Sequence, residues 1–72
     1  AMERHRAQEE LNDLERRLQE FEARYLLSSE DFKGRFQQGD LGDAADFFEW
    51  SAFYDMRQAV RERLQNLENL PA

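Results

Sequence analysis

Few side chains in this sequence are of the types that do chemistry. His5 is the only histidine, and it stands among charged residues near the start of the chain, where a solvated surface position accounts for it. Ser28 and Ser29 carry hydroxyls but have no base within sequence reach, and helix capping explains both. Carboxylates are plentiful, sixteen against ten lysines and arginines. Acid–base pairs need a concave, water-excluding pocket to drive their pKa values apart, however, and so short a chain offers little of one. Asp40, Asp43 and Asp46 come nearest to a metal set. A calcium loop wants acids at alternate positions, a glycine at the sixth and a closing glutamate. Here the acids are three apart at a turn-to-helix junction, where Asp43-x-x-Asp46 reads as a helix cap. Neither an enzyme nor a metal or cofactor site is expected.

The remaining candidate chemistry is recognition. Between Tyr25 and Met56 lie all three glycines, eight of the nine aromatic residues, and seven acids against two bases. Hydrophobic core is the first reading of the rings, yet Phe32, Phe36, Phe47, Phe48, Trp50, Phe53 and Tyr54 are more than one three-helix end easily buries. Large aromatics rimmed by charge are common interface anchors. A partner-binding surface is therefore expected at Asp40, Asp43, Asp46, Phe47, Glu49, Trp50 and Tyr54.

Three elements must position these residues. Ala7, Leu11, Leu14, Leu18, Phe21 and Tyr25 follow one another in steps of 4, 3, 4, 3 and 4, a heptad seam with no glycine or proline in it. This predicts a helix over about residues 3–27. Ser28-x-x-Asp31 then has the shape of a capping box, Glu30 and Asp31 suit the positive start of a helix dipole, and Phe32 and Phe36 share one face. A second helix is predicted over about 29–38, with Gly39 as its left-handed C-terminal residue. Gly34 inside it marks either a weak point or a close approach of another backbone. Leu41, between Gly39 and Gly42, reads as the buried anchor of a Gly-rich turn. A third helix is predicted over about 44–69, wide in its apolar face around Phe47–Met56 and narrow at Val60, Leu64, Leu67 and Leu70, with Pro71 beyond its end.

The fold class is therefore all-α, a single domain over residues 1–72. The long helices are each about 25 residues, or roughly 38 Å. They are expected to fold back as an antiparallel hairpin with Leu11 and Leu14 facing Leu64 and Leu67, and with the short helix across the aromatic end. The alternative keeps them splayed, with partner chains in the seams. At this length the core is marginal and no cysteine is present to staple it. A homo-oligomer, most simply a dimeric helical bundle, is expected, its seam at Leu11, Leu14, Leu18, Phe21, Val60, Leu64 and Leu67.

No signal peptide or apolar run long enough for a membrane span is visible, so a cytoplasmic protein is expected, and Ala1 before Met2 reads as the remnant of an expression tag. The net charge is −6. Residues 30–55 carry seven acids and two bases, so the negative field is central. Nucleic acid is a poor partner for such a surface and a basic protein a good one.

The pattern Tyr25-(x)2-Ser28-Ser29-Glu30-Asp31-Phe32, Phe36-(x)2-Gly39-(x)-Leu41 and Asp46-Phe47-Phe48-Glu49-Trp50 with Tyr54 resembles small helical antitoxins of prokaryotic toxin–antitoxin pairs, notably archaeal and cyanobacterial ones. The likeness covers about half of the chain and is strongest over residues 25–54. It implies a protein that neutralises a cognate toxin, commonly a nuclease, whose basic RNA-binding cleft the acidic segment would occupy. The basic recognition helix or ribbon of self-repressing antitoxins is not visible. The second functional reading is a helical oligomerisation or adaptor module without a toxin partner.

Overall fold

The computed structural model describes residues 2–69, over which the chain forms α1 (Met2–Tyr25), α2 (Ser29–Gln37) and α3 (Ala45–Glu68). Leu70 and Pro71, expected as the last seam position and the stop beyond the third helix, lie outside the described residues. The long helices pack against each other and run antiparallel. Cross-helix ion pairs mark the register, from Arg4–Glu68 at one end through Glu10–Arg63 and Glu15–Arg61 to Arg24–Asp46 at the other. The resulting rod is 46 Å long and 21 by 17 Å across. No described helix is long and apolar enough to cross a membrane.

Two clusters fill the seam. Ala7, Leu14, Val60 and Leu64 are buried toward the open end of the hairpin, with Leu11 and Phe53 packed against them. Leu18, Phe21, Phe32 and Trp50 are buried where α2 lies across the pair, joined by Leu27, Phe36, Leu41, Phe47, Phe53 and Tyr54. This places Leu14, Leu18, Phe21, Val60 and Leu64 in contacts within one chain. They are the heart of the seam expected to join two copies, and the heptad stripe of α1 finds its counterpart in α3 instead. Leu67 is half-buried beside them.

Backbone chemistry sets the boundaries. α1 stops two residues earlier than its apolar pattern suggests, because Leu26 turns into the left-handed region (φ +54°) and the Leu27 N–H donates back to the Glu22 carbonyl. This is a Schellman-type closure, in which glycine usually holds the left-handed position. Ser28 then caps α2 as its spacing predicts, its Oγ accepting from the Asp31 N–H at 3.1 Å. α2 closes by a full Schellman pair, Asp40 N–H to Arg35 O and Gly39 N–H to Phe36 O, with Gly39 at φ +80°. A Cβ built on Gly34 would meet nothing within 4 Å. Of the two readings of that glycine, close backbone approach is therefore excluded.

The cap predicted at Asp43 does not form. Ala44 is the N-cap of α3 and no side chain satisfies that end. Asp46 has turned away to the C-terminal end of α1, where it accepts hydrogen bonds from the Tyr25 hydroxyl and, at 2.9 Å, from Arg24. An arginine and a phenol together outbid a single backbone N–H for this carboxylate, because charge-assisted bonds are the stronger ones.

Trp50 is the largest fully buried side chain among the described residues, with none of its surface exposed. Its ring stacks on Phe32 at 3.9 Å between centroids and on Phe21 at 5.5 Å, and its indole N–H donates to Ser29 Oγ at 2.9 Å. Urea melts followed by helicity separate these contributions. Ser29→Ala strands the indole N–H and costs about 1–3 kcal/mol. Ser28→Ala removes the α2 cap and costs about 1 kcal/mol. Asp43→Ala leaves stability within about 0.5 kcal/mol, and Gly34→Ala raises it by about 1 kcal/mol. A Ser29 variant as stable as the parent would show that Trp50 is held by packing alone.

Candidate protein-binding surface

The residues singled out for recognition divide into three groups. Trp50 belongs to the core and presents nothing to a partner. Phe47 and Tyr54 are half-buried: Phe47 lies edge-on to Tyr25 and near Phe32 and Phe36, and Tyr54 lies beneath the guanidinium of Arg57 at 5.1 Å. Asp40, Asp43 and Glu49 are exposed, and among the described residues no cation pairs with any of them. Asp46 shares their end of the hairpin but is engaged with Arg24 and Tyr25. The expected surface thus keeps Asp40, Asp43 and Glu49, and loses Asp46 to an internal tie and its main aromatic anchor to the core. Burial of the indole is favoured because its one polar atom finds a hydroxyl partner inside.

Other rings and apolar chains take the exposed positions. Phe48 is 58% exposed and meets α2 by an edge-on contact with Phe36 at 5.3 Å. Met56, two turns further along α3, is 50% exposed. Leu26 is 88% exposed and sits in the left-handed backbone position at the end of α1. Spacing alone could have separated Phe48 from Trp50. The positions Trp50, Phe53, Arg57, Val60, Leu64 and Leu67 continue the seam in steps of 3 and 4, and Phe48 and Met56 fall outside it.

The same spacing carries a residue that the sequence reading passed over. Arg57 occupies a seam position and is only 4% exposed. Its guanidinium reaches Glu30 of α2 at 2.6 Å and Glu15 of α1 at 3.5 Å, so one side chain from α3 ties all three helices. Its Nε has no hydrogen-bond partner, an orphaned donor in a buried position. Lys33 makes a smaller clasp, donating to Ser51 Oγ at 2.6 Å and pairing with Asp55 at 3.1 Å. Among the described residues no group of three His, Cys, Asp or Glu side chains is placed to hold a metal ion. Between α1 and α3 runs a shallow groove of about 140 Å³, lined by Arg17, Glu20, Arg24, Asp46 and Glu49 with Phe21 and Phe53. Its charges alternate in sign and favour neither an anion nor a cation.

These ion pairs give the stability a pH dependence. The hydrogen bond from Arg57 holds the Glu30 carboxyl below its ordinary pKa, and the bonds from Tyr25 and then Arg24 do the same for Asp46. A depressed carboxyl contributes stability above its unfolded pKa and loses it as pH falls through the folded value. The melting temperature should therefore hold from neutrality to roughly pH 5 and decline below about pH 4. A Glu30→Gln, Asp46→Asn double variant should start lower and decline less steeply. Tyr25 shifts the other way, its hydroxyl raised by the bond to Asp46, so its contribution is lost only as pH rises through that raised value. Parallel acid limbs for parent and double variant would dismiss both clasps as contributors.

No family model matches the chain, and neither a curated protein nor a solved structure matches it significantly.

Proposed function

We propose that this chain is an antitoxin-like protein that binds and neutralises a basic toxin, a nuclease, in the cytoplasm. One observation carries the reading. Asp40, Asp43 and Glu49 stand exposed and unpaired at the turn end of the hairpin, beside an exposed Phe48, while neighbouring carboxylates of the fold are engaged with cations. The pattern that resembles antitoxins supports it in a specific way. Ser28 caps α2, Ser29 and Phe32 hold Trp50, Gly39 closes α2, Leu41 packs into the aromatic cluster, and Asp46 ties α3 to α1. Those residues build the head of the hairpin, and what they leave outward is acid.

A second reading, a helical oligomerisation or adaptor module that includes a homodimer, is favoured by one observation, the exposure of Phe48 and Met56 on α3.

Exposed charges mainly steer association, so reversing them tests the first reading. The chain is co-expressed with the product of the neighbouring gene, and growth arrest, RNA cleavage and binding kinetics are read. Asp40→Lys, Asp43→Lys and Glu49→Lys together should slow association about tenfold or more at low salt and flatten its salt dependence, with helicity unchanged. Protection equal to the parent's at every salt concentration would reduce these acids to a solvated face.

A further inference from the structure

The solvent side of α3 carries apolar side chains that the hairpin does not use. Phe48 and Met56 are its two large exposed side chains, and Ala45, Ala52 and Ala59 are exposed at the intervening steps of 3, 4, 4 and 3. On a helix those steps fall on one face. The seam that packs on α1, with Trp50, Val60 and Leu64 buried, lies about 120° round the same helix from the centre of the stripe. A second apolar stripe, about four helical turns long and made of two large residues among three alanines, is not required by the fold. Small residues between Phe48 and Met56 leave room for another surface to approach the helix closely.

Charge decides what that surface is. By helical position Glu49 borders the stripe on one side and Asp55 and Glu62 on the other. Glu49 and Glu62 pair with no cation among the described residues, and Asp55 is answered only by Lys33. The one arginine on this side, Arg63, is held by Glu10. A second copy is a poor occupant. Both edges of the stripe are acidic, so in either orientation a second copy sets an acidic edge against an acidic edge. Like charges set opposite one another across an interface disfavour it.

We propose that the stripe Ala45, Phe48, Ala52, Met56 and Ala59 is a docking ridge for a partner protein that offers an apolar strip edged by lysine and arginine. The inference rests on the partner-binding reading above and deepens it. The acids at the turn end steer the encounter, and the ridge, with Phe48 and Met56 as its anchors, sets the lifetime of the complex.

The probe is a synthetic amphipathic helical peptide with a leucine stripe flanked by lysines, titrated into the isotope-labelled full chain by NMR. Amide shifts are expected along Phe48–Ala59 and on no other exposed helix face. Phe48→Ser with Met56→Ser should weaken binding about tenfold or more. Because Phe48 touches Phe36, Ala52→Arg is made in parallel: it replaces an exposed alanine, keeps the fold by circular dichroism, and should abolish binding. A peptide with glutamate in place of lysine should not bind. The ridge is overturned by no binding at millimolar peptide, by equal binding of the glutamate peptide, by affinity unchanged in Ala52→Arg, or by sedimentation showing a parent dimer that Ala52→Arg dissociates. The two proposals also fail separately. Peptide binding at the ridge without neutralisation of the neighbouring gene product sinks the antitoxin reading alone. Full neutralisation by Ala52→Arg sinks the ridge alone.

Discussion

Trp50 must be buried with its indole N–H satisfied, and the rest of the hairpin head is arranged around that requirement. An indole is too large for a two-helix seam to enclose, and its one polar atom is costly to leave without a partner. α2 answers both needs. Phe32 covers one face of the ring at 3.9 Å, and Ser29, itself fully buried in the first turn of α2, accepts the N–H at 2.9 Å. Ser29 can reach only because Leu26 ends α1 abruptly and Ser28 restarts the chain as a helix, so α2 crosses the pair at that height. Gly39 then lets the chain leave α2 and return to the start of α3. The short helix is therefore less a connector than the lid of one side chain.

A charged layer surrounds this apolar one and works by different physics. Arg57 replaces what would be a leucine in the seam, and its two carboxylate partners come from the other two helices. A buried arginine so placed is weak evidence of stability, since removing it from water costs several kcal/mol that its ion pairs only offset. What it does supply is register: only one rotation and height of α2 brings Glu30 to it while Ser29 reaches Trp50. The unpaired Nε marks the limit of that arrangement. Hydrophobic contact alone would let a nine-residue helix slide, whereas the serine and the glutamate, adjacent in sequence, fix it at two points.

The helices and their pairing were legible because heptad spacing is a local property, read from residues such as Leu11, Leu14, Leu18, Val60 and Leu64 without knowing where they meet. What they meet was not. The same stripe serves a second copy as well as a second helix, and the turn that returns the chain decided for the latter. Caps divided in the same way. Ser28 had no competing partner and capped as its spacing says, while Asp43-x-x-Asp46 had the same local form but lay within reach of Arg24 and Tyr25, which the sequence places more than twenty residues away. Among the candidate site residues, Asp40, Asp43 and Glu49 stayed exposed because nothing inside attracts a lone carboxylate. Trp50 went inside because a serine twenty-one residues earlier could satisfy it.

The size of the domain links its stability to its proposed work. A chain of this length has a folding free energy of about 4–11 kcal/mol, and part of that is spent on an arginine in the seam and a leucine in a left-handed turn. A partner that binds only the folded hairpin adds about 2.7 kcal/mol when present at a hundredfold above its dissociation constant. That is comparable to the whole contribution of the Trp50–Ser29 bond, so occupancy of α3 and the integrity of the head are coupled thermodynamically even though Trp50 and Phe48 face opposite ways. α3 supplies both surfaces, one turned to α1 and α2 and one to solvent. Any opening of the head that frees Trp50 disorders the start of α3, and with it Phe48 and Glu49. A partner docked on the outer face therefore holds the indole in place without touching it, and the unbound chain is the form most exposed to local opening and proteolysis.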